Sequence, residues 1–165
     1  YYAYADDSFL SDISKYENLV LLRTVSKIGF AGLRLGLLIG SKDTVAQLDK
    51  LRLPYNINTL TQVSANFLLQ EQDEINNNAK IIIEQRQILS DALNKIDGLK
   101  AYPSQANFIL FKAPSANDLF ENLKDNGVLI KNLSSAPRLA DCLRVTVGSQ
   151  NQNQQFIKIV ESFYG

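Results

Sequence analysis

RTVSKIGFAGLRLG, residues 23–36, opens polar, turns glycine-rich and closes apolar. It sets Lys27 and Arg34 among small residues, between two apolar runs, LVLLR at 19–23 and LRLGLLIG at 33–40. Both runs have the length and flanks of a buried strand, so the segment between them reads as a loop held by two strands. A lysine in such a loop can lose water, and desolvation favours its neutral amine, the form that condenses with a carbonyl to give a Schiff base. Ser26, Gly29, Gly32 and Arg34 fit the same scheme. Glycines let the backbone approach a ligand, while a hydroxyl and a guanidinium can grip a phosphate, the latter through two parallel hydrogen bonds. The competing reading is a solvated loop lysine with Arg34 in a surface ion pair.

Composition narrows the classes. The chain has 165 residues, 45% of them hydrophobic, and its 17 basic residues balance 17 acidic ones. Zero formal charge argues against nucleic acid or an anionic membrane as partner, because phosphate backbones need a concentrated positive surface. No apolar run is long enough to span a bilayer. With no histidine, Ser-His-Asp and Cys-His catalysis and His-ligated zinc are excluded within this chain, and no metal is expected. Cys142 stands alone, which excludes an internal disulfide and fits a reducing, cytoplasmic location. The chain has no methionine and starts YYAY, so it is expected to be a piece of a longer polypeptide.

Outward from the loop, SKDTVAQLDKLRL at 41–53 reads as a helix capped by Ser41, with Val45, Leu48, Leu51 and Leu53 on one side and Pro54 ending it. Residues 59–74 read as a helix with Leu60, Val63, Phe67 and Leu68 inward, and 76–98 as another, with a break or kink at Asn76–Asn78 and Gly98 as its cap. Then come strands at 107–112, 127–131 and 142–148, with a helix in 115–127 and a closing helix at 151–164. Two parts are expected: 1–75, incomplete, and 76–165, a small α/β domain.

An amine that attacks a carbonyl, set beside a phosphate grip, is what pyridoxal 5′-phosphate requires. NLVLLRTVSKIGFAGLRLGLLIG closely resembles the lysine segment of fold-type I pyridoxal-phosphate-dependent aminotransferases, and in its fuller form the histidinol-phosphate aminotransferase branch. YYAY at 1–4 is similar to the end of that family's DEAYxxF/Y segment, without the aspartate, glutamate and alanine. LPYNINTLTQ, SQANFILFK, GVLIKNLSS and LRVTVGSQNQN follow in the family's order. The resemblance implies the C-terminal part of the large cofactor-binding domain followed by a small C-terminal α/β domain.

Carried over residue by residue, it implies that Lys27 holds the cofactor covalently and moves the substrate proton, that Ser26 and Arg34 bind the cofactor phosphate, and that Tyr1 hydrogen-bonds its phenolic oxygen. Arg144 would bind the substrate carboxylate or, in the same place, the phosphate of histidinol phosphate. Its alternation with Leu143 and Val145 independently sets it on the outer face of a strand, and the competing reading is a surface arginine on an edge strand. Asn107 would lie on the substrate side. Lys131 stands where the family often has arginine, keeping the charge and losing the bidentate fork. Tyr55 would face the cofactor or a neighbouring subunit, or else be a tethered core tyrosine.

The resemblance implies transamination between histidinol phosphate and 2-oxoglutarate in histidine biosynthesis, by a homodimer of the full-length parent, this piece being inactive alone. Alternatives are an aromatic amino-acid aminotransferase, a threonine-phosphate decarboxylase relative, and an effector-sensing domain of a regulator.

Overall fold

Leu21–Thr24 (β1) and Gly36–Ile39 (β2) pair antiparallel, with Leu21 opposite Ile39 and Thr24 opposite Gly36. The computed structural model describes residues 1–165 and divides into two compact units, Tyr1–Asn77 and Asn78–Gly165.

In the first unit, β2 leads to α1 (Lys42–Asp49), where Ser41 Oγ accepts from the Thr44 amide at 3.2 Å. α2 (Thr59–Leu68) begins at Asn58, whose side chain accepts from the Thr61 amide at 2.9 Å. Such caps satisfy amides that the helix leaves without a partner, each contributing about 1 kcal/mol. The expected strands form, yet they are not buried. Leu22 is 78% exposed, and Leu37 and Leu38 are also exposed. α2 departs in the same way: Leu60, Val63 and Phe67 face out, while Thr61 and Ala65 are buried. A two-stranded ribbon has two faces, and this unit places no second layer over these apolar ones.

The second unit has its own core. Its antiparallel sheet runs in the order β3-β4-β6-β5: Lys100–Ala101, Phe108–Lys112, Cys142–Thr146 and Lys131–Asn132. Ile109, Phe111, Leu143 and Val145 point to one face, where they meet Leu89 and Leu93 of α3 (Gln72–Asn94), Leu119 and Leu123 of α4 (Ala116–Asp125), and Phe156 and Val160 of α5 (Gln150–Tyr164). Phe111 and Phe156 pack edge to face at 6.1 Å. Each such fully buried side chain stabilises the fold by about 1.5–3 kcal/mol. Cys142, the chain's one thiol, is 3% exposed at the start of β6.

Three further expectations change. Asn76–Asn78 does not break α3, which is continuous because Ala79, Gln85, Leu89 and Leu93 give it a buried stripe. Residues 127–130 are not strand, and only Lys131–Asn132 joins the sheet. α3 ends at Asn94, before Gly98. Gly127 does close α4: at φ 79°, its amide donates to Lys124 O and the Val128 amide to Leu123 O, the paired bonds of a left-handed C-terminus.

Candidate active site

The loop between β1 and β2 is two single turns of 3-10 helix, Val25–Ile28 and Ala31–Leu33. A left-handed residue ends each: Gly29 at φ 104° and Arg34 at φ 51°. Glycine adopts this conformation freely, whereas arginine does so at a cost, which marks position 34 as one where geometry overrides preference. The neck is closed by the Val25 amide on Leu35 O at 3.4 Å, with Val25 itself buried. Thr24 Oγ1 caps the first turn, accepting from the Ser26 amide at 3.1 Å and donating to Ser26 Oγ at 2.9 Å. Thr24 Oγ1 also lies 3.4 Å from Leu35 O, a second acceptor for its one proton.

The loop thus presents an amine, a hydroxyl and a guanidinium. Lys27 Nζ lies 5.4 Å from the centre of the Tyr1 ring, so the structure brings those two together. Lys27 is exposed here, contrary to the dry setting expected from buried flanking strands. The same absence of cover over β1 and β2 accounts for it. Arg34 is also exposed and donates to Ala31 O at 3.2 Å; it is in none of three ion pairs, Lys15–Asp12, Arg52–Asp49 and Lys124–Glu121. Of the competing reading, the solvated lysine is present and the Arg34 ion pair is not.

Two supports were not anticipated. Tyr4, 6% exposed, donates its hydroxyl to Lys27 O at 2.6 Å, and burial raises its phenol above the ordinary tyrosine range. Thr61 Oγ1 donates to Leu33 O at 3.2 Å, fixing the residue before Arg34. Tyr4's place three residues after Tyr1 was the only trace of this in the sequence; Thr61 left none, being a polar residue on the helix side that packs inward.

In the second unit, the sheet face away from the core carries Phe108, Leu110, Arg144 and Lys131. Arg144 is flanked by Leu110 of β4 and Lys131 of β5. β6 is an interior strand, so Arg144 is not an edge-strand residue. Its guanidinium carbon stands 5.0 Å from the centre of the Phe108 ring. Directly opposite like charges destabilise a sheet, and neither cation belongs to any of the three ion pairs. Asn107, half-buried, immediately precedes β4 and accepts from the Val147 amide at 2.9 Å. The structure therefore groups Asn107, Arg144 and Lys131 in one unit, and Tyr1, Ser26, Lys27 and Arg34 in the other.

Comparison with known proteins gives these two sets a common context. The family model for aminotransferase class I and II matches residues 1–160. A histidinol-phosphate aminotransferase from Vesicomyosocius okutanii subsp. Calyptogena okutanii (strain HA) is 73% identical over 99% of this chain and 46% of its own length. Among solved structures, L-threonine-O-3-phosphate decarboxylase from Porphyromonas gingivalis superposes with a TM-score of 0.84 at 27% identity, covering 99% of this chain and 52% of that one. Histidinol-phosphate aminotransferase from Sinorhizobium meliloti, solved in complex with pyridoxal-5′-phosphate, has a TM-score of 0.74 at 24% identity over 89% of this chain and 42% of that one. The chain spans about half the length of the relatives it matches.

Proposed function

The chain belongs to the aminotransferase class I and II family, a pyridoxal-phosphate-dependent family with a mixed α/β fold, and from that premise we propose that the complete polypeptide transfers an amino group from histidinol phosphate to 2-oxoglutarate. The observation that carries the substrate choice is the Lys131–Arg144 pair, two cations side by side on an open sheet face with no acidic partner. It suits a phosphate-bearing amine and, in the second half-reaction, a carboxylate. The 73% identity to a protein named histidinol-phosphate aminotransferase supports the same reading.

The donor set fits the cofactor. Arg34 and the Ser26 hydroxyl would hold its phosphate, and Tyr1 would donate to its phenolic oxygen. When bound, the pyridine ring supplies a sink for the electrons released at the substrate α-carbon. Lys27 would be the residue that holds the group, and its amine would move the proton at the substrate α-carbon. Tyr4 and Thr61 keep the loop backbone in place, which matters because a misplacement of about 1 Å costs on the order of 10²-fold in rate. Arg144 orients the substrate through a bidentate carboxylate or phosphate contact, with Lys131 adding charge.

The 165-residue chain by itself is inactive on this reading, since the apolar faces of β1, β2 and α2 are without cover. A homodimer is the working assembly, and Tyr55, 97% exposed and left-handed, is free to reach a neighbouring subunit. The likeness to L-threonine-O-3-phosphate decarboxylase favours a second reading, decarboxylation of a phosphorylated amino acid.

One experiment separates them. The complete polypeptide with pyridoxal phosphate is offered histidinol phosphate, phenylalanine, tyrosine and threonine phosphate, and glutamate and carbon dioxide are both measured. Glutamate formed from histidinol phosphate alone supports the first reading; carbon dioxide from threonine phosphate overturns it. Lys27→Ala should lower turnover by on the order of 10²–10⁴-fold, and borohydride should no longer fix the cofactor to the protein.

A further inference from the structure

Two consecutive residues of α3 reach two different chain segments. Arg86 donates through Nη1 to Ala106 O at 3.0 Å, gripping the carbonyl just before Asn107. Gln85, buried, accepts through Oε1 from Asn153 Nδ2 at 3.1 Å. Asn153, 5% exposed, spends the rest of its amide on Gly148: Nδ2 donates to Gly148 O at 3.1 Å, and Oδ1 accepts from the Gly148 amide at 3.0 Å. That double contact imitates a neighbouring strand. The Val147 amide, next door, donates to Asn107 O at 2.9 Å, extending the β4–β6 ladder one step past the Phe108–Thr146 pair. The bonds therefore close a ring: Arg86, Ala106, Asn107, Val147, Gly148, Asn153, Gln85.

The ring sits at the end of the ladder that carries Arg144 and begins at Asn107. A side chain at Gly148 would meet Gln152 Oε1 at 2.7 Å, so the backbone there is packed directly under the start of α5. A buried amide with both donations and its acceptor in use, as in Asn153, holds one geometry, because turning it leaves the Gly148 amide or carbonyl without that partner.

We infer that Gln85, Arg86 and Asn153 are positioning residues that set Asn107 and Arg144 for the substrate anion. The inference rests on the reading of Arg144 as the anion-binding residue. None of the three touches substrate; each acts through backbone that carries a residue which does.

The test uses the complete polypeptide with cofactor, and glutarate as an unreactive dicarboxylate probe measured by calorimetry. In Gln85→Leu, Asn153→Ala and Arg86→Leu the glutarate Kd should rise about tenfold, and the KM for 2-oxoglutarate in step, as expected for sub-ångström misplacement. Visible absorbance of the bound cofactor and kcat should stay within about twofold, since the Lys27 loop is untouched. Arg86→Lys, which retains a donor for Ala106 O, should recover most of the loss. Should Asn153→Ala fail to fold, Asn153→Asp takes its place, keeping the acceptor for the Gly148 amide while losing both donations. Unchanged glutarate affinity in folded variants overturns the inference, as does a fall in kcat with KM unmoved. If Arg144→Ala binds glutarate as well as the unsubstituted protein, the substrate role of the ring falls with it. A protein that transaminates nothing, yet binds glutarate with an affinity that these variants lower, removes only the proposed activity.

Discussion

The hydroxyl of Tyr4 donates to the carbonyl of Lys27 at 2.6 Å, joining residues 23 positions apart. One buried phenol thus holds the backbone of the residue on which the proposed chemistry turns. Tyr4→Phe should cost about 1 kcal/mol of stability in urea titration. In the complete polypeptide it should broaden or weaken the visible absorbance of the cofactor, while Tyr2→Phe should not.

The same phenol makes a prediction about alkali. Burial raises Tyr4, and likewise Tyr164, whose hydroxyl donates to Pro114 O at 2.6 Å. A raised tyrosine stays protonated in the folded chain at a pH where the unfolded chain has already ionised. Its contribution is therefore complete below the ordinary tyrosine pKa and is lost as pH rises through the folded value. Thermal melts from neutral pH upward should show Tm falling once that range is reached. The fall should be shallower in Tyr4→Phe and Tyr164→Phe.

Arg34 offers a separation of stability from binding. Its φ of 51° is a conformation that costs most residues about 1–2 kcal/mol. Arg34→Gly relieves that strain but frees the unfolded chain, so folding stability should change by less than about 1 kcal/mol. Cofactor affinity, measured by equilibrium dialysis, should fall by about 10–100-fold with the loss of a charge-assisted contact.

Position 131 tests the substrate. Lys131→Arg restores a planar fork opposite Arg144 and should lower the KM for a phosphorylated donor by about threefold, leaving an unphosphorylated donor unaffected. Arg144→Ala should raise the KM for donor and for 2-oxoglutarate alike, by about 10²-fold. Equal effects of Lys131→Arg on both donors would count against the phosphate assignment.

Core truncation should distinguish the two units. In the 165-residue chain, Leu93→Ala empties a site that is 0% exposed and should cost about 2–5 kcal/mol. Leu22→Ala, at 78% exposure, should change stability by less than about 0.5 kcal/mol. In the complete polypeptide the Leu22 substitution should become costly, by about 1–3 kcal/mol, if the rest of the chain covers β1.

Much of this was legible from residue order. β1, β2, the Ser41 cap and the Gly127 terminus were visible because each depends on neighbours a few positions away. The alternation of Arg144 with Leu143 and Val145 placed it on the outer sheet face, where it lies. What failed was direction. The spacing of Leu60, Val63 and Phe67 identified a helix but not which side of it packs, because a periodic stripe marks an apolar face whether or not anything covers it. Asn76–Asn78 looked like a break, yet the buried stripe from Ala79 onward outweighs three weak helix formers. The ring through Gln85 and Asn153 spans 68 positions and has no local signature.

Cys142 lies two residues ahead of Arg144 on the same strand and is all but sealed from solvent. A thiol-modifying reagent can reach it only when that strand parts from its neighbours. In the 165-residue chain, alkylation kinetics followed by mass spectrometry therefore serve as a native clock for the parting of the strand that carries Arg144, with no label or second cysteine to interfere.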